Sequence, residues 1–415
     1  MKDVDEAITR AHHEEWARVV AALTRRFGDL DVAEEAAAEA FTTAVERWPV
    51  DGVPPNPGAW LTTTANHKAI DRIRRENKRD DKYREARMLS EDPGEPDPPP
   101  SAIDDDRLRL IFICAHPALA MEARVALTLR MVGGLTVPEI ASAFLVTESA
   151  LGRRITRAKA KIKAARIPYR VPAAEDLPAR VSGVLAVLYL VFNEGYLATG
   201  SDTGPVRDDL TAEAIRLTRL VRELLPDDGE VTGLLALMVL TEARRSVRVS
   251  ASGELVTLDE QDRAAWDEAL IAEGQGLVRE RLAAGVPPGR YQILAAVNAV
   301  HTSARDVRDT DWSQVVALYD QLARLDTSPI VALNRAIAVA ELDGPHVALA
   351  AVDRLDDKLS GYHAYHATRA DLLRRLGRSE EARSAYDQAI ALAGNTAEIA
   401  ALTRRRDQLD QEDPN

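Results

Sequence analysis

Apolar residues return every three or four positions along almost all of this 415-residue chain, and alternating β-branched runs are scarce. Ala, Leu, Arg and Glu carry the pattern, so the expected fold is all-α. The spacing predicts helices over 12–27, 31–48, about 58–87, 107–131 and 135–166. Asp31 opens the second of these, which ends before Pro49, and Gly133-Gly134 separates the last two. Four prolines and two glycines make "PVDGVPPNPG" (49–58) a loop. Segment 89–106, "LSEDPGEPDPPPSAIDDD", has the proline- and acid-rich composition of a linker. A second break at "RIPYRVPAAEDLP" (166–178) precedes a long helical body. Within it "RVSASGELVTLDEQD" (248–262) is the one candidate hairpin or long loop.

The body contains a repeat over about 310–405. Gly344 and Gly377 lie 33 residues apart, and each opens a helix after a short turn. "GRSEEARSAYDQAIAL" places Ala382, Tyr386 and Ala389 at the small–aromatic–small spacing of a tetratricopeptide (TPR) second helix. "DWSQVVALYDQLARLDTSP" (311–329) repeats it loosely, with Tyr319 in place of Tyr386 and Pro329 as the stop.

Charge sharpens the division. The chain carries a net charge of -13, of which residues 1–166 hold -1 and residues 167–415 hold -12. Lys358 is the one lysine of the second part. An acidic body repels nucleic acid, so any polyanion contact belongs to local basic faces of the first part. The expected organisation is a helical domain over 1–88, the linker 89–106, a second small domain over 107–167 and an acidic extension over 168–415. Cys114 lies in an apolar run and is expected in the core. "MKDVDEAITRAHHEEW" lacks the apolar stretch of a signal peptide, and no uncharged apolar run of 18 residues is present. A cytoplasmic protein without membrane contact is expected.

The basic faces are concentrated. "LTVPEIASAFLVTESALGRRITRAKAKIK" (135–163) has the proportions of a helix-turn-helix, with its turn at Leu145–Thr147. Thr136 and Thr147 fit as N-caps, and Glu139 stands three residues after Thr136 as in a capping box. Seven cations then fall within residues 153–166. Ala150, Leu151, Ile155, Ala158 and Ile162 form an apolar stripe, and Arg153, Arg154, Arg157 and Lys161 project away from it. Arginines so placed read guanine in the major groove while neighbouring cations neutralise phosphates. The helix near 58–87 repeats the theme. Trp60, Leu61, Ala65, Ala69, Ile70 and Ile73 share one side, followed by Lys68, Arg72, Arg74, Arg75, Lys78 and Arg79.

Together these motifs resemble the bacterial sigma factors of the extracytoplasmic-function (ECF) type, in the subgroup with a long TPR-like carboxy-terminal extension. "NPGAWLTTTANHKAIDRIRR" resembles the helix that reads the promoter −10 element, and "DVAEEAAAEAFTTAVERW" (31–48) the helix that grips the polymerase β′ clamp. The helix-turn-helix resembles the −35 reading domain, and "LYLVFNEGYLATGSD" (188–202) looks typical of the extension. The resemblance implies −10 contacts from Asn66, Lys68, Asp71, Arg72, Arg74 and Arg75. It implies −35 contacts from Ser149, Arg153, Arg154, Arg157 and Lys161, and polymerase contacts from Asp31, Glu34, Glu35, Glu39 and Phe41. Ala38 stands where members of the family often carry Gln. The loop 49–58 corresponds to the one that receives a flipped base.

The implied partners are core RNA polymerase, through its β′ clamp and β flap, promoter DNA, and a regulatory protein on the extension. The implied function is promoter-directed initiation, with an extension that regulates it. A helix-turn-helix regulator with a TPR sensor and a TPR interaction adaptor are the alternatives. No catalytic constellation and no cofactor is called. His363 and His366 fit helix packing better than a metal site, Asn193, Glu194 and Tyr196 a helix–loop junction, and Asp202, Asp208 and Asp209 caps and loop solvation.

Overall fold

The computed structural model describes residues 2–84, 106–144, 146–196, 207–250, 254–394 and 396–412. The linker 89–105, the side chains of Lys78 and Arg79, Leu145 of the predicted turn, and Asp202 lie outside the described residues. Two compact units divide the chain, Met1–Leu190 and Val191–Asn415. The described residues form helices without strands, so the all-α expectation holds.

The first unit opens with α1 (Lys2–Phe27), α2 (Leu30–Asp51) and α3 (Pro57–Arg84), each packed on the other two. Alanines at 33, 36, 37, 40 and 44 are buried on α2, and the absence of larger side chains lets its neighbours approach closely. Two boundaries differ from expectation. Asp29, rather than Asp31, is the N-cap of α2, accepting from the backbone N–H of Asp31 and Val32 at 2.9 and 3.3 Å. Pro49 does not end the helix, which runs one further turn to Gly52 (φ 84°). Near a C-terminus, proline costs one hydrogen bond but does not stop the chain.

The predicted helix 107–131 is two helices, α4 (Asp106–Cys114) and α5 (Met121–Thr128), because Pro117 sits between them. A π turn, Leu129–Gly133, follows and ends at Gly134. Then come α6 (Val137–Ala143), α7 (Glu148–Ala164) and α8 (Leu177–Tyr196), which crosses the unit boundary. By length and composition α8 suffices to cross a membrane. It also holds Arg180 and Glu194, and burial of Val181, Val184, Leu185, Val187 and Leu188 accounts for its apolar character.

Gly134 meets two demands. Its φ is 78°, and a Cβ there would lie 2.8 Å from His12 Cε1 and 3.0 Å from Trp16 Cγ. Gly28 also has positive φ (68°) but faces open space. Gly134→Ala therefore destabilises the first unit by about 2–4 kcal/mol and Gly28→Ala by about 1–2, the backbone term alone. Urea unfolding of the two variants checks this; equal losses would remove the packing term.

The second unit contains α9 (Asp208–Leu224), α10 (Gly229–Glu242), α11 (Glu268–Ala283), α12 (Arg290–Ser303), α13 (Trp312–Leu325) and α14 (Pro329–Leu342). It continues with α15 (Pro345–Asp353), α16 (Asp356–Leu359), α17 (His363–Arg375), α18 (Ser379–Leu392) and α19 (Thr396–Glu412). Every residue of α10 from Val231 to Glu242 is buried, because α9, α11 and α12 surround it. From α12 to α15, then α17 to α19, each helix packs on the next. Gly344 and Gly377 both take positive φ (90° and 70°), and Ala382, Tyr386 and Ala389 are buried. Pro329 starts α14 rather than stopping α13, with Ser328 capping the Ile330 N–H at 3.2 Å. In the candidate hairpin the described residues hold an antiparallel bridge, Val249 to Leu255, while 251–253 lie outside them.

Candidate nucleic-acid interface

The helix-turn-helix is capped as its sequence requires. Thr136 Oγ1 accepts from the Glu139 N–H at 3.3 Å, and the Glu139 carboxylate accepts from the Thr136 N–H at 2.7 Å. Thr147 Oγ1 accepts from the Ala150 N–H at 3.3 Å and lies 3.3 Å from Ser149 Oγ. Leu151, Ile155, Ala158 and Ile162 are buried, while Ala150 is half-buried at the edge of the stripe. Arg153, Arg157 and Lys161 are exposed and Arg154 half-buried. Arg157 Nε donates to the Arg153 carbonyl at 3.2 Å, which holds its guanidinium along the helix face. None of the four has a carboxylate partner among the described residues. An ordered helix thus presents unneutralised cations, the arrangement that binds phosphates and base edges.

On α3 the cations are divided. Lys68 pairs with Glu39 at 3.7 Å and Arg72 with Glu35, so predicted −10 contacts and predicted polymerase contacts face each other. Arg74, Arg75 and Asp71 are exposed, with Arg75 Nε donating to the Asp71 carbonyl at 3.3 Å. Asn66 accepts from Arg26 Nη1 at 3.3 Å.

The predicted polymerase residues of α2 separate by helical phase. Glu35 and Glu39 stand on the surface. Phe41 does not: it is 7% exposed, with ring centres 5.0 Å from His12 and 5.7 Å from Trp16, and belongs to the core. Glu34 is also buried, held by Lys159 of α7 and Arg130 of the π turn. Lys159 Nζ donates to Asp31 at 2.8 Å, and Lys163 Nζ to Asp29 at 2.9 Å. Trp16 Nε1 donates to the Met131 carbonyl at 3.1 Å, beneath the Arg130 guanidinium. The Tyr169 hydroxyl donates to the carbonyls of Ala21 and Asp106 at 3.0 and 2.8 Å. Residues 13–51 and 129–169 are thereby closed on each other.

Burial alone raises the carboxyl pKa of Glu34, but Lys159 and Arg130 reverse this and hold it below the usual range. Asp29 shows the same balance: burial raises it, while Lys163 and the N–H groups of Val32 and Asp31 lower it further. The closed contact is therefore complete where both carboxyls are ionised. It weakens as pH falls through their depressed values. Complete burial pushes the Cys114 thiol far up, as fits an inert core residue.

The sequence reading missed Lys159, Lys163 and Arg130 as partners of α2. The signal was the phase of α7: Lys159 is four residues from Ile155 and next to Ala158, on the buried side. Elsewhere, His363 pairs with Glu398 at 3.0 Å and His366 with the Ser360 carbonyl at 2.8 Å, so the two rings serve separate contacts. Tyr196 stacks on Phe192 with Arg248 over its ring at 3.7 Å, while Asn193 is exposed and Glu194 half-buried. Asp208 pairs with Arg245, and Asp209 with Arg207.

Comparison with known proteins adds to this geometry. Residues 13–79 match Sigma-70 region 2, and residues 109–162 match Sigma-70, region 4. Residues 180–282 match a family of unknown function (DUF6596). "Uncharacterized protein R00370" of Rhizobium meliloti (strain 1021) is 43% identical over 400 residues, covering 95% of this chain and 94% of that protein. No solved structure matches the chain.

Proposed function

We propose, since the chain belongs to the ECF-type sigma factors by its regions 2 and 4, that it loads core RNA polymerase onto promoters read by α3 and α7. Sigma factors are non-enzymatic transcription factors, and promoter recognition is the role these two regions carry. The supporting observation is the face of α7, where Arg153, Arg154, Arg157 and Lys161 lack carboxylate partners among the described residues, in a chain of net charge -13. The work takes place in the cytoplasm, with core polymerase and promoter DNA as partners.

Glu35 and Glu39 are the carboxylates available to the β′ clamp. Their pairs with Arg72 and Lys68 are partly exposed, and such pairs contribute only about 0–1 kcal/mol, so a basic polymerase surface displaces them easily. Reversing both to Lys abolishes co-purification with core polymerase while the helical circular dichroism is retained. Unchanged co-purification would remove the clamp assignment.

The closed contact is a state of the unloaded protein. The −10 and −35 elements lie roughly 25 base pairs apart, about 85 Å at 3.4 Å per step. A compact unit of 190 residues has a radius of gyration of about 16 Å, so it is roughly 40 Å across. Both elements are reached only after regions 2 and 4 separate, which frees Glu34 for polymerase.

The extension supports rather than blocks activity in this reading. Its succession of helices favours the TPR-like interpretation, a scaffold for a regulatory protein. Truncation after Arg166 removes α8, with its buried face of Val181, Val184, Leu185 and Leu188. The shortened chain is expected to lose most promoter-dependent transcription. A soluble truncation more active than the full chain would instead make the extension an inhibitor.

A further inference from the structure

Between α10, α11, α12 and α13 lies a cavity of about 180 Å³ that the promoter-directed reading does not use. Its floor is made of small residues, Gly233, Ala236 and Ala296, at the crossing of α10 and α12. That crossing is tight: a Cβ on Gly233 would lie 2.6 Å from the Gln292 backbone nitrogen. Gly233 thus admits the α12 backbone, and Ala236 and Ala296 line the space beside the crossing. At the mouth, Leu282 and Val286 are 71% and 57% exposed, an apolar rim facing water.

One cation enters this apolar setting. Arg281 lines the cavity, its Nε is buried without a hydrogen-bond acceptor, and it has no carboxylate partner among the described residues. The neighbouring acids are engaged elsewhere. Glu273 pairs with Arg219 and Glu280 with Arg222, both at 2.8 Å, and Glu230 accepts from the N–H groups of Tyr291 and Gln292 at 3.1 and 3.2 Å. Gln292 adds a second donor. A Cβ on Gly229 would lie 2.5 Å from Gln292 Nε2 and 2.7 Å from an Arg281 terminal nitrogen, so both cavity-lining side chains bring nitrogens to the start of α10.

We propose that this cavity binds a small organic acid, its carboxylate on Arg281 and Gln292 and its apolar body on the floor between α10 and α12. The volume sets the size. Sites for drug-sized ligands run to roughly 300–1,000 Å³, whereas an apolar cavity of about 150 Å³ holds a benzene molecule. The fitting class is therefore a single aromatic ring or a short branched chain bearing one carboxylate. Unpaired guanidinium is the natural partner of such a group, because it offers two parallel N–H donors. This site is independent of the promoter assignment, so its test stands if that assignment fails.

The test is isothermal titration of the full chain with benzoate, phenylacetate, 3-phenylpropionate and 4-methylpentanoate, beside the neutral 3-phenylpropanol. At least one acid is expected to bind with one-to-one stoichiometry. Arg281→Gln is expected to weaken it about tenfold or more, and Ala296→Trp, which fills the floor, to abolish it. Circular dichroism melts establish that both variants fold. If Ala296→Trp does not, the Arg281→Gln comparison with the alcohol decides alone. Failure of all four acids to bind would overturn the proposal. Equal affinity for acid and alcohol, or acid binding unchanged in Arg281→Gln, would do the same.

Discussion

Lys159→Met binds core RNA polymerase about tenfold more tightly than the wild-type chain. Lys159 is 8% exposed and touches both Asp31 and Glu34, so in the closed unit it neutralises carboxylates that the family's clamp helix offers to polymerase. Polymerase must first separate these groups, and its apparent affinity is reduced by the fraction of chains that are open. Methionine keeps the length and apolar stem of Lys159 but removes the charge. Arg130 then faces Glu34 alone, and Asp31 loses its contact. Leaving one member of a buried pair under-compensated costs several kcal/mol in general, less here because Arg130 remains. A net loss of about 1.4 kcal/mol in the closed state suffices for the tenfold gain. Titration of labelled protein with core polymerase measures it. Scattering of the free variant should show a larger radius of gyration for the same reason. Unchanged affinity with an unchanged radius would mean that the closed contact does not compete with loading.

The second large effect concerns sequence selectivity. Arg153→Ala or Arg157→Ala costs about 1–3 kcal/mol at one −35 base pair and relaxes discrimination there. Lys161→Ala weakens all promoters evenly and flattens the salt dependence. The distinction follows from position. Arg153 and Arg157 are one turn apart on the exposed face near the capped start of α7, whereas Lys161 lies a further turn along, where a groove-bound helix rises past the phosphates. A promoter panel mutated singly across the −35 element separates the outcomes. If all three variants lose activity uniformly, α7 binds backbone without reading bases.

Much of this was legible in the sequence because local rules act on local residues. The capping box of Thr136 and Glu139, the stripe from Leu151 to Ile162, and the turns at Gly344 and Gly377 need only a few neighbours to be decided. Boundaries were misread where a residue type has more than one use. Pro49 ends nothing because a helix's last turn tolerates it, and Pro329 serves as a first helical residue. The break at Pro117 was overlooked inside a strongly apolar run. The candidate site was harder, because its charges are apportioned by tertiary contacts. Helical phase sets Glu34 on the stripe of Ala37 and Phe41 and Glu35 off it, but only the tertiary contact supplies their partners, Lys159 and Arg130 for Glu34 and Arg72 for Glu35. Phe41 turns toward His12 and Trp16, on the same helical stripe as Ala37, Ala44 and Trp48, so its burial was legible in the spacing of α2.

Run-off transcription tests the central claim most directly, using purified full-length protein, core RNA polymerase and the DNA upstream of its own coding sequence. The account predicts a discrete transcript that requires both proteins. That transcript should vanish with Glu35→Lys/Glu39→Lys and fall with substitutions in the −10 or −35 element. DNA binding by the protein alone, with no transcript and no association with core polymerase, would contradict it.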